Sequence, residues 1–130
     1  AQASEGVFAP DGRTLFFTRL PKQSSSTKRY EGGWIENLWR YTTGDEEAVP
    51  LARDFKGTSR NPLWWQDRVC FISDRDGTMN LWSMKPDGTD LKQLTKHTGF
   101  DVATASLHNG RIAYARAGDP AWFARRLRLL

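Results

Sequence analysis

The chain has 130 residues, 38% hydrophobic and 26% charged, with a net charge of +4 and a pI near 9.5. That length fits one domain able to bury a core. Its single Cys excludes an internal disulfide framework, and no apolar run approaches the roughly 20 residues of a membrane-spanning helix. The modest basic excess reads as an ordinary surface, so neither a nucleic-acid nor a membrane partner is expected. Cys70 sits in the apolar run Val69-Cys70-Phe71-Ile72, where a buried inert thiol suits a reducing cytoplasm. Ala1 to Gly6 lacks the basic and apolar parts of a signal peptide, and the missing initiator Met suggests a processed or tag-cleaved chain.

In chain order, short runs of β-branched and aromatic residues follow turn signals. Thr14 to Arg19 follows Pro10-Asp11-Gly12, Arg68 to Ser73 follows Gln66-Asp67, and Arg111 to Ala115 follows Asn109-Gly110. Asn37 to Thr42 and Asn80 to Lys85 form a second class of strand, the latter entered through Asp74-Arg75-Asp76-Gly77. Ala48 to Ala52 and Leu91 to Thr95 form a third class, and Pro50 is tolerable there if that strand is an edge.

The three classes are tied by one period of 43 residues. It separates Asn37-Leu38-Trp39 from Asn80-Leu81-Trp82, Leu51 from Leu94, and Arg68-Val69-Cys70-Phe71 from Arg111-Ile112-Ala113-Tyr114. Repeats of this length built from short strands indicate β-propeller blades. The expected fold is all-β, with about two and a half to three four-stranded antiparallel sheets in one partial propeller domain over 1–130. The blades fall at 7–52 and 61–95, with a partial blade at 102–118.

Arg13 to Arg68 exceeds the period by twelve residues, which places an insert between Pro21 and Trp34. Its content (Lys22, Ser24, Ser25, Ser26, Lys28, Arg29, Tyr30) suits an exposed loop. The tail 119–130 lacks the Asn-Leu-Trp landmark. It could form a short amphipathic helix or continue the third blade as a strand, and it reads as an atypical end.

Pro10-Asp11-Gly12-Arg13, Ser73-Asp74-Arg75-Asp76-Gly77, Asn80-Leu81-Trp82 and Leu94-Thr95 resemble the blade motifs of TolB-type propellers and of the amino-terminal propeller of tricorn protease. Thr27-Lys28-Arg29-Tyr30, Thr58-Ser59-Arg60-Asn61-Pro62, Trp64-Trp65 and Gly77 to Met84 are similar to the six-bladed propeller of tricorn-like proteases, over about residues 6 to 118. The resemblance implies part of a large cytoplasmic hexameric serine peptidase that shortens oligopeptides, in which this propeller gates and guides peptides. The family's catalytic Ser and His lie in carboxy-terminal domains without counterpart here. The chain is therefore expected to be noncatalytic by itself, with peptide binding as its residual function.

The alternative is a small serine hydrolase with a site built from loops or across an oligomer interface. Ser24 to Ser26, Ser59, Ser73, Ser83 and Ser106 accompany His97 and His108, but none stands in a nucleophile elbow. Both His residues read as solvated loop residues. Asp74, Asp76 and Asp87 lack the spacing and closing Glu of a calcium loop and suit turn and capping roles. No catalytic residue, cofactor or metal ligand is assigned.

Trp39 and Trp82 hold equivalent positions and are expected between blades, while of Trp64 and Trp65 one should enter a blade interface and the other point elsewhere. An open run of blades leaves two apolar faces bare. Self-association to a dimer or trimer, completing a ring, follows as the expected remedy.

Overall fold

In the computed structural model, which describes residues 3–19, 37–51, 57–116 and 128–130, the regular elements are all β-strands. The first sheet holds β1 (Ala3–Phe8), β2 (Thr14–Arg19), β3 (Asn37–Thr42) and β4 (Val49–Pro50), antiparallel and in that order. The second repeats the pattern with β5 (Ser59–Trp65), β6 (Arg68–Ser73), β7 (Asn80–Met84) and β8 (Lys92–Gln93). A third holds β9 (Val102–His108), β10 (Arg111–Arg116) and β11 (Arg128–Leu129), ordered β11-β10-β9.

Local chemistry sets the hairpins. Gln66 and Asp67 both have positive φ (54° and 61°), as do Asn109 and Gly110 (51° and 79°). Two such residues in succession give the turn whose twist matches paired strands. Between β1 and β2 the Asp11 carboxylate accepts the backbone N–H groups of Arg13 at 2.8 Å and Thr14 at 3.0 Å. Pro50 lies in the outermost strand of its sheet, and Pro62 lies in edge strand β5 at a register shift, where a missing donor breaks no ladder bond.

The first strands of neighbouring sheets touch, β1 against β5 and β5 against β9, so the sheets stack as blades from that side. Two cores lie between them. Phe16, Leu38 and Ala9 of the first sheet meet Val69, Phe71 and Met84 of the second. Cys70, Ile72 and Leu81 of the second meet Val102, Ala105, Ile112 and Tyr114 of the third.

Several details depart from the sequence reading. Strand β1 begins at Ala3, ahead of Val7, and the fourth strands are two residues long. Leu51 and Leu94 nonetheless stay tied, their N–H groups donating to the carbonyls of Leu38 and Leu81 at 2.9 and 2.8 Å. Phe17 pairs with Trp39 and Phe71 with Trp82, so Phe17 stands where Phe71 does, and the insert is one residue shorter than the Arg13 to Arg68 match implied. A one-residue slip moves every side chain to the opposite face of a sheet. In the tail, Arg128 and Leu129 pair with Tyr114 and Ala113, the strand alternative, and Arg128 takes the register position of Trp39 and Trp82. The insert Lys22 to Gly33 and the tail segment 117–127 lie outside the described residues.

Candidate docking face

Alternation along the strands gives each sheet two unlike faces. The face turned to the preceding sheet, its leading face, carries Val69, Phe71, Trp82 and Met84 in the second sheet and Ile112 and Tyr114 in the third. The trailing face carries Phe16 and Leu38 in the first sheet, and Cys70, Ile72 and Leu81 in the second. By the same register the leading face of the first sheet consists of Leu15, Phe17, Trp39 and Tyr41. No described residue of another sheet covers it.

This face forms a groove of about 560 Å³, lined by Leu15, Phe17, Arg19, Trp39, Tyr41, Glu46, Glu47 and Ala48. The Arg19 guanidinium lies 4.2 Å from the Trp39 ring centroid and 5.6 Å from that of Phe17. Its charge faces the negative ring faces while its stem covers carbon. Phe17 is 6% exposed, whereas Phe8 on the same face is 59% exposed.

An arginine recurs at the closed seams. The Arg75 guanidinium sits 5.1 Å from the Phe71 centroid and 5.9 Å from that of Trp82, and donates to the Ser73 and Ser59 hydroxyls at 2.8 and 3.2 Å. Burial pulls its pKa below the usual value, with Asp74 acting the other way. In the third sheet Arg116 lies 5.7 Å from the Phe100 centroid. Sequence reasoning missed this series because Arg19 and Arg75 stand at different offsets from the Asn-Leu-Trp landmark.

The tryptophans divide as follows. Trp82 packs into the first seam, and Trp39 holds the matching place on the leading face of the first sheet. Each indole N–H is buried without an acceptor among the described residues. Trp64 and Trp65 do not divide between a seam and elsewhere: both enter seams, on opposite faces of β5. Trp64 stacks on Phe16 with centroids 5.9 Å apart, and Trp65 packs on the other core, its Nε1 donating to the Gly110 carbonyl at 2.9 Å.

His97 is not a solvated loop residue. It is half-buried, stacks on Phe100 at 4.4 Å, and its Nε2 lies 2.9 Å from the Tyr114 hydroxyl. Buried Asn80 fixes the segment, its Oδ1 accepting from His97 N at 2.9 Å and Thr95 Oγ1 at 2.7 Å. Buried Asn61 joins the second and third sheets in the same manner, accepting the Ala105 N–H at 3.2 Å and donating to the Ala105 carbonyl at 3.1 Å. Sequence reasoning missed both roles; the only signal for Asn80 is its place at the head of the repeated landmark, and Asn61 gives none.

The candidate nucleophiles are dispersed. Ser59 and Ser73 are buried under Arg75, and Ser83 accepts from Arg68 Nε at 2.9 Å. Exposed Ser106 and His108 do approach, Oγ to Nε2 at 3.1 Å, but no carboxylate contacts that imidazole among the described residues. A triad needs such an orienting partner. Asp76 and Asp87 serve turns, accepting the backbone N–H groups of Thr78 and Thr89, while the Asp74 carboxylate accepts the Thr58 N–H across from it, just ahead of β5. Among the described residues no group of three His, Cys, Asp or Glu could hold a metal, and no helix is long and apolar enough to cross a membrane. Desolvation pushes the Cys70 thiol up to about 12, so it holds its proton at neutral pH.

The family model described as the tricorn protease N-terminal beta propeller domain matches residues 1–124. A tricorn protease homolog from Streptomyces coelicolor is 37% identical over 105 residues, which is 81% of this chain and 10% of that protein. The tricorn protease of Thermoplasma volcanium is 37% identical over 92 residues, 71% of this chain and 9% of that one. The chain thus spans about a tenth of the length of these curated relatives. Among solved structures, the tricorn protease crystal structure superposes with a TM-score of 0.66 at 25% identity, over 89% of this chain and 11% of that one. A putative TolB from Agrobacterium tumefaciens reaches a TM-score of 0.70 at 13% identity, over 89% of this chain and 39% of that one, a likeness of fold.

Proposed function

The chain belongs to the tricorn protease N-terminal β-propeller domain family, and from that membership we propose that it serves a cytoplasmic tricorn-like protease by guiding and gating peptides toward hydrolytic domains elsewhere. It is a noncatalytic propeller segment. The observation that carries the peptide-guiding reading is the family match over residues 1–124, joined to blade cores that consume its aromatic residues in packing and leave no assembled catalytic set among the described residues. Burying a bulky apolar side chain stabilises by about 1.5–3 kcal/mol, a large amount against the marginal stability of a domain. The first-sheet face, which no described residue of another sheet covers, is therefore offered as the surface through which the 130-residue chain self-associates in solution.

A peptide hydrolysis assay on the purified chain, paired with binding of oligopeptides by fluorescence anisotropy, tests this reading. Weak saturable binding without turnover is expected. Turnover lost on Ser106→Ala would instead favour a small serine hydrolase, the second reading, which rests on the 3.1 Å approach of Ser106 and His108. No binding of any oligopeptide would remove the guiding role.

A further inference from the structure

We propose that Asn109 is a site of spontaneous covalent modification: in the folded chain its side-chain amide condenses with the backbone nitrogen of Gly110, and the β9–β10 turn is converted to aspartate and isoaspartate. The inference is independent of the peptide-guiding reading.

Four Asx-Gly steps lie among the described residues: Asp11-Gly12, Asp76-Gly77, Asp87-Gly88 and Asn109-Gly110. Ring closure at such a step needs a glycine nitrogen free of hydrogen bonds and a side-chain carbonyl open to attack. The first three turns withhold that nitrogen, since Gly12, Gly77 and Gly88 donate to the carbonyls of Ala9, Asp74 and Lys85 at 3.0, 2.9 and 2.8 Å. Their carboxylates are engaged as well, accepting the backbone N–H groups of Arg13, Thr78 and Thr89. Bonds from the Arg13 N–H to Asp11, the Gln93 amide to Asp76 and the Thr89 hydroxyl to Asp87 lower the three carboxyl pKa values, so the groups are ionised at neutral pH and resist a nucleophile.

Asn109-Gly110 differs on each count. Both residues are exposed, and neither the Asn109 amide nor the Gly110 N–H has a hydrogen-bond partner among the described residues. A β-carbon on Gly110 would meet no atom within 4 Å, so a five-membered ring has room. The exposure belongs to the turn and not to the sheet that carries it. Gln66-Asp67, at the same place in a sheet covered on both faces, has the same pair of positive φ angles and is exposed too. The other described asparagines are closed to the reaction. Pro62 after Asn61 has no N–H, the Leu81 N–H after buried Asn80 donates to Thr95 Oγ1 at 2.9 Å, and Leu38 after Asn37 is fully buried.

The chemistry needs only water. Hydroxide takes the Gly110 N–H proton and the nitrogen attacks Asn109 Cγ. A C–N bond forms as the Cγ–Nδ2 bond breaks, and the departing nitrogen takes a proton from water and leaves as ammonia, which returns the hydroxide. Water then opens the succinimide at either carbonyl. Isoaspartate places an extra methylene in the main chain of a two-residue turn whose Gly110 carbonyl accepts from Trp65 Nε1 at 2.9 Å. That bond from the second sheet therefore steadies the turn before the reaction and is displaced by it.

Ageing the purified chain in mildly alkaline buffer, with tandem mass spectrometry of the tryptic peptide His97 to Arg111, tests the proposal. Asn109 should convert to aspartate and isoaspartate at a rate that rises with hydroxide, while the three Asp-Gly steps stay intact. In guanidinium chloride those three should isomerise as well. Asn109→Gln, whose longer side chain forms no five-membered ring, should leave the peptide unchanged. Trp65→Phe keeps an aromatic ring and loses the N–H, and it should speed conversion about two- to tenfold, the worth of one hydrogen bond. Intact Asp-Gly steps in that variant would show that its sheets remain folded. An Asn109 that persists in the folded chain while it converts in denaturant would overturn the proposal, as would Asp-Gly steps that change as fast as Asn109 in the folded chain. An unchanged rate in Trp65→Phe would overturn the steadying role of Trp65.

Discussion

The leading faces of the first two sheets carry the same Phe–Trp pair in the same register under an arginine, yet among the described residues only one of them meets a neighbouring sheet. Phe71 opposite Trp82 is fully buried by Phe16 and Leu38 of the sheet before it. Phe17 opposite Trp39 has only Arg19 above it among the described residues. The pair belongs to the blade and the burial belongs to the neighbour.

Substitutions at equivalent sites should break that symmetry unequally. Phe71→Ala should destabilise by about 3–5 kcal/mol, because it leaves a cavity in a closed seam. Trp39→Ala, measured by urea unfolding of dilute monomer, should cost about 1 kcal/mol, since its stabilisation there is mainly local stacking with Arg19. Equal losses would mean that the first-sheet face is covered within one chain. The asparagine bridge between the second and third sheets comes next. Asn61→Ala strands the Ala105 N–H and carbonyl and should cost about 1–3 kcal/mol by the same measurement. It also places Ala at a φ of 56°, which Asn tolerates better.

Smaller effects sharpen the contrast at the edges. Cys70, on the trailing face of the middle sheet, should react with a thiol reagent only as fast as the chain unfolds, because burial holds its pKa up at about 12. Rapid labelling of folded protein would show the second core to be open. The turn carboxylates should give the least. The side-chain hydroxyl of Thr89 and then its backbone N–H hold Asp87 below its ordinary value of 3.8, and backbone N–H groups of Arg13 and Thr14 hold Asp11 there too. Arg68 does the same for Asp90, pairing with its carboxylate at 2.8 Å. A depressed folded pKa contributes stability above the unfolded value that disappears as pH falls through the folded one. The denaturation midpoint should therefore hold from neutrality down to about pH 4 and decline below it. These groups are solvent-exposed, so the decline should be shallow.

Strand positions were legible because Asn-Leu-Trp and Arg-Val-Cys-Phe recur at one period and every hairpin has its own turn residues. The face of β2 was not. Leu15-Phe16-Phe17 is apolar at three successive positions, so alternation cannot tell which side meets a neighbour, and only pairing with Trp39 decides it. Trp64 and Trp65 misled for a related reason, since a strand sandwiched between two seams is apolar on both faces. His97 looked solvated because Lys96 and Thr98 flank it, while its partner Tyr114 lies in the next sheet. Arg19 and Arg75 reach similar ring pairs from different points in the chain, which no repeat alignment reveals.

Hydrogen exchange of the backbone amides, resolved by strand and followed against protein concentration, tests the central claim most directly: a sheet here is stable to the extent that both faces are covered. Dilute protein should protect β6 and β7 most, with β2 and β3 exchanging faster and gaining protection as concentration rises. Protection of β2 and β3 equal to that of β6 and β7 in dilute solution, unchanged on concentration, would contradict it.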